Sequence, residues 1–204
     1  IAEMCGNGAR CAARFAYLSG IAGRRMVFET LAGKIFADVN EPTVKIRMTD
    51  PEQMNPAFDL DLDGERLRVG RINTGVPHVV VPVADLEDLD VAAMGRRIRF
   101  HRDFAPAGTN VNFVAVDDGG HISIRTYERG VEDETLACGT GNVAAALILA
   151  HEHDLATPVT LSTRSGGRLT VHFNRQGDRY GDVFLEGDAR VIYSGELWEE
   201  AWRA

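Results

Sequence analysis

Two cysteines in this sequence stand in matched settings. Cys5 opens Cys5-Gly6-Asn7-Gly8 and Cys138 opens Cys138-Gly139-Thr140-Gly141, 133 residues on (138 − 5), and each quartet runs into an apolar, helix-like segment, Cys11 to Leu18 and Val143 to Ala150. A cysteine just ahead of a helix sits in the positive field of the helix N-terminus, which favours thiolate over thiol, so both sulfurs are expected to ionise closer to neutrality than a free thiol. The glycines permit close approach and leave the first N–H groups of each helix open to an anion such as a carboxylate. If the two copies face each other, a carboxylate held between them has a sulfur on each face of its α-carbon. One sulfur removes the α-proton, the other delivers a proton to the opposite face, and the N–H groups carry the enolate-like charge that develops. That is the chemistry of racemisation.

Other uses of these residues fit less well. A lone Cys-Gly-x-Gly is more often a buried structural cysteine, and it is the second copy in the same frame that reverses the balance. With five residues between Cys5 and Cys11, the cysteines do not have the Cys-x-x-Cys spacing of a zinc pair, so no metal is expected. Cys11, turned away from Cys5 around its helix, is assigned to core packing. Amino-acid racemases that rely on pyridoxal phosphate need a lysine for it, but Lys34 reads as a turn residue and Lys45 as part of an alternating strand. No cofactor is expected.

The elements that must position the cysteines repeat as well. Phe28 to Gly33 matches Leu161 to Gly166, with Thr30 and Thr163 at the same offset. The period is far longer than that of a solenoid, so the chain reads as two related lobes, each presenting one cysteine at a helix start. Met26–Thr30 and Lys34–Val39 form a hairpin around Ala32-Gly33, and Val44–Met48 alternates as a half-exposed strand. The polar, proline-containing stretch Asp50 to Pro56 is the expected boundary, giving lobes of residues 1–49 and 50–185. In the second lobe, Arg66–Ile72 and Val79–Val83 read as strands and Leu89–Phe104 as a helix. Asn112–Val116 and His121–Tyr127 are strands joined by the turn Asp117 to Gly120. Val159–Thr163, Arg168–Phe173, Gly181–Glu186 and Ala189–Gly195 follow as strands. One main helix per lobe and few strand–helix–strand alternations favour α+β over a doubly wound sheet.

With 204 residues and 45% hydrophobic content the chain can bury real cores, and its longest apolar run is far short of the roughly 20 residues that a bilayer needs. No membrane association is therefore expected. A net charge of −8 argues against nucleic acid as a partner. Three cysteines do not make a disulfide framework, which suits the cytoplasm. The chain begins at Ile1, two residues before a motif that carries chemistry, and is expected to lack an N-terminal piece.

At these motifs the chain resembles diaminopimelate epimerase, a cofactor-independent family that interconverts LL- and meso-2,6-diaminopimelate. Met4-Cys5-Gly6-Asn7-Gly8-Ala9-Arg10-Cys11 is similar to the family's first catalytic motif. Glu128-Arg129-Gly130 followed by Thr135-Leu136-Ala137-Cys138-Gly139-Thr140-Gly141 is similar to its second. The resemblance implies that Cys5 and Cys138 are the acid/base pair, with His78 and Glu128 supporting them. It implies that Gly6, Asn7, Gly139 and Thr140 bind the reacting carboxylate, and that Asn112, Glu128 and Arg129 hold the distal amino-acid end. It further implies an interlobe cleft, a C-terminal segment (186–204) returning to the first lobe, a homodimer, and a place in bacterial lysine and peptidoglycan precursor synthesis. Two departures stand out: Val76 replaces an asparagine common in the family, and the family's asparagine-containing stretch before the first cysteine is absent. The alternatives are a proline racemase or hydroxyproline epimerase, and a non-catalytic amino-acid-binding fragment.

Overall fold

The computed structural model describes residues 5–31 and 33–201. Glu3 and Met4 of the first motif and Ala32 of the first hairpin lie outside the described residues.

The first motif leads into helix α1 (Gly6–Leu18), and the second into helix α3 (Gly139–His153). α1 is followed by β1 (Arg25–Thr30), β2 (Gly33–Asn40) and β3 (Thr43–Arg47). α3 is followed by β10 (Val159–Thr163), β11 (Arg168–Gln176) and β12 (Arg179–Asp188). Between the two runs come β4 (Glu52–Leu62), β5 (Glu65–Asn73), β6 (Pro77–Pro82), helix α2 (Val91–Arg99), β7 (Asn110–Val116), β8 (Ile122–Glu128) and β9 (Asp133–Thr135). The fold is strand-rich and α+β, as expected.

Among the described residues the strands join in one twelve-stranded sheet, in the order β1-β2-β3-β12-β11-β10-β8-β7-β6-β5-β4, with β9 on β8. The β3–β12 pairing is antiparallel, with Ile46 opposite Leu185. Outward from that seam the order β3-β2-β1 on one side answers β12-β11-β10 on the other. Among the described strands only β6–β7 and β8–β10 pair in parallel.

Composition decides which helix is enclosed. α3 is apolar on every side through Val143–Ala150, all of it buried, as expected of a helix with sheet around it. It contacts β4 to β8, β10 to β12, and α1. Burying each of its Val, Leu and Ile side chains contributes about 1.5–3 kcal/mol. The α3 carbonyl end is held by Arg175, whose Nη1 donates to Ala150 O at 3.2 Å and Asp154 Oδ1 at 2.8 Å. α2 covers the other face of β6–β8. Its N-cap Asp90 accepts from Ala93 N at 2.9 Å, and Arg96, Arg97 and Arg99 complement its C-terminus. β6 is buried on both faces because it separates these layers. Val79 and Val81 pack towards α2, and Val80 towards α3.

Within the stretch Asp50 to Pro56, β4 begins at Glu52 and takes in Pro56 at an irregular register against β5. Two segments differ from expectation. The second-lobe helix ends at Arg99, followed by a separate 3-10 turn over Arg102–Phe104. Residues 189–195 form no strand. Ala189 N donates to Pro42 O at 3.1 Å, and beyond it Val191, Ile192 and Tyr193 are exposed.

Candidate active site

Each cysteine is the N-cap of its helix and keeps extended backbone, with φ −137° at Cys5 and −120° at Cys138. The backbone is therefore extended at each sulfur-bearing residue and turns into the helix directly after it. The Cys5 sulfur accepts from Gly8 N at 3.4 Å, while the Cys138 sulfur lies 3.5 Å from the Thr140 hydroxyl. The helix starts converge. A Cβ placed on Gly139 would stand 3.9 Å from Gly6 Cα and 3.0 Å from a Leu185 methyl, and one on Gly6 would meet that same methyl at 3.4 Å. Both glycines thus let two helix N-termini meet over the β3–β12 seam.

Beside this junction opens a cavity of about 540 Å³. Cys138, Thr140, Glu128, Arg129, Asn110 and Val76 form one side, and Lys34, Arg47, Thr49 and Asp50 contribute the other. Glu128 ends β8 and Arg129 follows it. The Arg129 N–H donates to Asn110 Oδ1 at 2.8 Å, which ties this corner to the start of β7. Asn110 Nδ2 donates in turn to Pro77 O at 3.0 Å. Thr74, also on the wall, donates to Thr140 O at 3.1 Å and joins the Thr74-Gly75-Val76 turn to the first turn of α3. Gly75 takes φ +103° there, a conformation open to glycine. The result is a carboxylate and a guanidinium side by side, within reach of one thiol.

Of the residues picked out from sequence, Cys138, Thr140, Glu128 and Arg129 line this cavity, and Gly6 and Gly139 form the junction beside it. Cys5 and Asn7 are exposed at the start of α1 and are not among its walls. Asn112 requires correction. It is 0% exposed, with Nδ2 donating to Val79 O at 3.0 Å and His78 Nδ1 at 3.1 Å, and Oδ1 accepting from Thr126 at 3.0 Å. It has no donor left for a ligand, and Asn110, two residues earlier on the same strand face, takes the wall position. His78 is also buried away from the cavity, and burial followed by the Arg129 charge lowers its pKa to about 3. It is a neutral imidazole whose Nδ1 accepts from Asn112, so Nε2 carries the proton.

Cys138 departs from the expected acidity as well. Burial pushes the thiol up and the Glu128 charge adds to the rise, against the opposing pull of the Thr140 hydroxyl. At this site desolvation outweighs the helix field. Cys11 is exposed, not a core residue, because buried positions on α1 fall at Ala9, Arg10 and Ala13. Lys34 lies in β2 and on the cavity wall, not in a turn. Among the described residues no three His, Cys, Asp or Glu side chains are placed to hold a metal, and no helix is long and apolar enough to cross a membrane.

Residues 70–192 match the family model described as diaminopimelate epimerase. A diaminopimelate epimerase of Aquifex aeolicus (strain VF5) is 50% identical over 204 residues, an alignment covering 98% of this chain and 71% of that protein. The chain belongs to the diaminopimelate epimerase family. Family membership makes it an isomerase of a kind that works without pyridoxal phosphate. A second relative of the same name, from Hydrogenobaculum sp. (strain Y04AAS1), is 45% identical over 96% of this chain and 70% of its own length. Among solved structures, a phenazine biosynthesis protein of Bacillus anthracis superposes with a TM-score of 0.69 at 19% identity, covering 92% of this chain and 73% of that one. A probable proline racemase of Agrobacterium radiobacter K84 gives the same TM-score at 16% identity, over 91% of this chain and 65% of its own. These two likenesses speak to the fold alone.

Proposed function

We propose that this protein epimerises LL-2,6-diaminopimelate to the meso form by two-base proton transfer between Cys5 and Cys138, without a cofactor. The observation that carries this reading is the meeting of two cysteine-capped helix N-termini beside a cavity bearing Glu128 and Arg129. A substrate α-carboxylate sits on the first N–H groups of both helices, at Gly6, Asn7, Gly139 and Thr140, where the helix fields favour negative charge. The distal amino-acid end is zwitterionic. Its carboxylate pairs with the Arg129 guanidinium, and its ammonium with Glu128 and the cavity face of Asn110. Each sulfur must approach within roughly 3–3.5 Å of the reacting carbon.

In the step itself, a thiolate forms an S–H bond as the Cα–H bond breaks, and the electron pair passes into the carboxylate, where the N–H groups hold it. The opposite thiol then gives its proton to the other face of Cα and becomes the thiolate. Burial favours the thiol form of Cys138, and the two sulfurs exchange the roles of base and acid between the forward and reverse directions. His78 acts as a positioning residue, holding Asn112 beneath the first turn of α3.

The seam at β3–β12, and an element order that recurs after each cysteine, support two lobes derived by duplication. These are residues 1–49 with 186–204 returning, and 50–185, with the site in the cleft between them. Family likeness supports a cytoplasmic homodimer serving lysine and peptidoglycan precursor synthesis. A proline racemase reading is disfavoured because proline has no distal ammonium or carboxylate for Glu128 and Arg129. Calorimetric titration with LL-diaminopimelate and with proline, followed by chiral chromatography of the products, tests the choice. Binding and turnover of diaminopimelate alone are expected. Binding of proline with no response to diaminopimelate would overturn the reading, and binding without turnover would leave an amino-acid-binding protein in its place.

A further inference from the structure

A second pocket, of about 260 Å³, lies beside the starts of α1 and α3, walled by Asn7, Arg10, Ala137, Arg168 and Asp188 among others. It shares no wall residue with the cavity that holds Cys138. Arg10 sets it apart. This side chain projects from α1 at 5% exposure, and only one of its donors is used, Nη2 donating to Asn7 Oδ1 at 2.8 Å. Nε and Nη1 are buried and have no acceptor among the described residues. A guanidinium that has lost its water is tolerated where an opposite charge meets it. Asp188 acts on Arg10 through space, but its Oδ2 is engaged by Arg190 at 2.6 Å. The hydroxyls on the same wall are committed too, Thr163 and Ser165 to each other at 2.9 Å and Thr163 to Gly167 O at 3.0 Å. On the same wall, the side chain of the exposed Arg168 bonds to none of the described residues.

We propose that this pocket is a binding site for a small oxyanion, inorganic phosphate or a compact carboxylate, held by the free N–H groups of Arg10 and Arg168. Two guanidinium groups against one carboxylate, itself paired with Arg190, leave the pocket positive. Its volume lies below the roughly 300 Å³ at which pockets for drug-sized ligands begin, which suits an anion of a few heavy atoms with its waters. Because Arg10 also holds Asn7, the anion would sit directly behind the Cys5 loop. The site does not depend on the epimerase reading.

Nitrogen-15 NMR of the arginine Nε–H groups in the full chain tests it, with phosphate, malonate or chloride added at constant ionic strength. Phosphate or malonate is expected to shift the Arg10 Nε–H resonance saturably and to raise the thermal midpoint with the same dissociation constant. Chloride is expected to do neither. Arg10→Gln removes a buried group and can fail to fold, so the deciding variant is Arg168→Gln, at an exposed position, which should weaken binding about tenfold. An Arg10 resonance unmoved by either oxyanion would mean that the pocket is filled by a carboxylate of the polypeptide, and would overturn the proposal. So would an equal response to chloride, or Arg168→Gln binding as tightly as wild type.

Discussion

α1 and α3 begin with the same motif and finish in different surroundings. Helix α1 buries Ala9, Arg10 and Ala13 and leaves Phe15 67% exposed, whereas α3 is buried continuously from Gly141 to Ala150. Their capping cysteines follow suit, Cys5 exposed and Cys138 buried. The cause lies outside the motif. α1 contacts β2, β3, β12 and α3, while α3 is also covered by β4 to β8 and β10 to β11. A matched motif places two sulfurs at two helix starts, and the packing around α3 then raises the pKa of the Cys138 thiol by burial.

The largest effect should come from removing either sulfur. Cys5→Ala and Cys138→Ala are each expected to lower epimerisation by about 10²–10⁴-fold, the range for a lost acid or base. Chiral chromatography of product against time reads this out, and one variant retaining full turnover would mean the two regions are not chemical partners. Next in size is packing. Leu147→Ala in α3 should cost about 2–5 kcal/mol in urea unfolding, and Phe15→Ala in α1 no more than about 0.5 kcal/mol. Equal costs would contradict the contrast in enclosure.

The second glycine pair, Gly8 and Gly141, separates the helices more finely. A Cβ at Gly141 would collide with Asn112 Oδ1, while one at Gly8 meets only Cys5 atoms at 3.6 and 3.7 Å. Gly141→Ala should therefore cost about 1–3 kcal/mol, and Gly8→Ala should be neutral or stabilise its helix by up to about 1 kcal/mol. Similar midpoints for both in denaturant titration would count against the difference. Smallest per step is a pH effect confined to the α3 side. With a folded pKa of about 3 against 6.5 for an ordinary imidazole, His78 takes its proton first in the unfolded chain. Its contribution is complete above about pH 6.5 and falls by about 1.4 kcal/mol per pH unit on the way down towards 3. His78→Gln should remove that slope from the pH dependence of unfolding, and an unchanged slope would show that another group carries it.

Much of this was legible in the chain because the signals were local. The cysteine motifs, the hairpins around Gly33 and Gly166, and the run Val143–Ala150 each announce their element by turn chemistry or apolar content. Asn110 and Asn112 could not be told apart that way. They lie on one face of β7, and only the approach of Gly141 decides which amide is sealed in and which meets the cavity. In sequence Lys34 reads as a turn residue, yet the β1–β2 register puts Gly33 opposite Thr30 and starts the strand there. The apolar residues of 189–195 suggest a strand, but a strand also needs a run of bonds to a neighbour, and among the described residues only Ala189 N, to Pro42 O, makes one. The acidity of Cys138 is not legible for a related reason, since its burial depends on strands far away in sequence.

The central claim is that two sulfurs serve opposite faces of one carbon, and turnover of LL-diaminopimelate in deuterium oxide tests it most directly. At low conversion the account predicts deuterium at the inverted carbon of the meso product, delivered by a thiol that has exchanged with solvent, while recovered LL substrate stays unlabelled. Product that keeps the original protium, or substrate that gains deuterium as fast as product forms, would mean a single base works both faces.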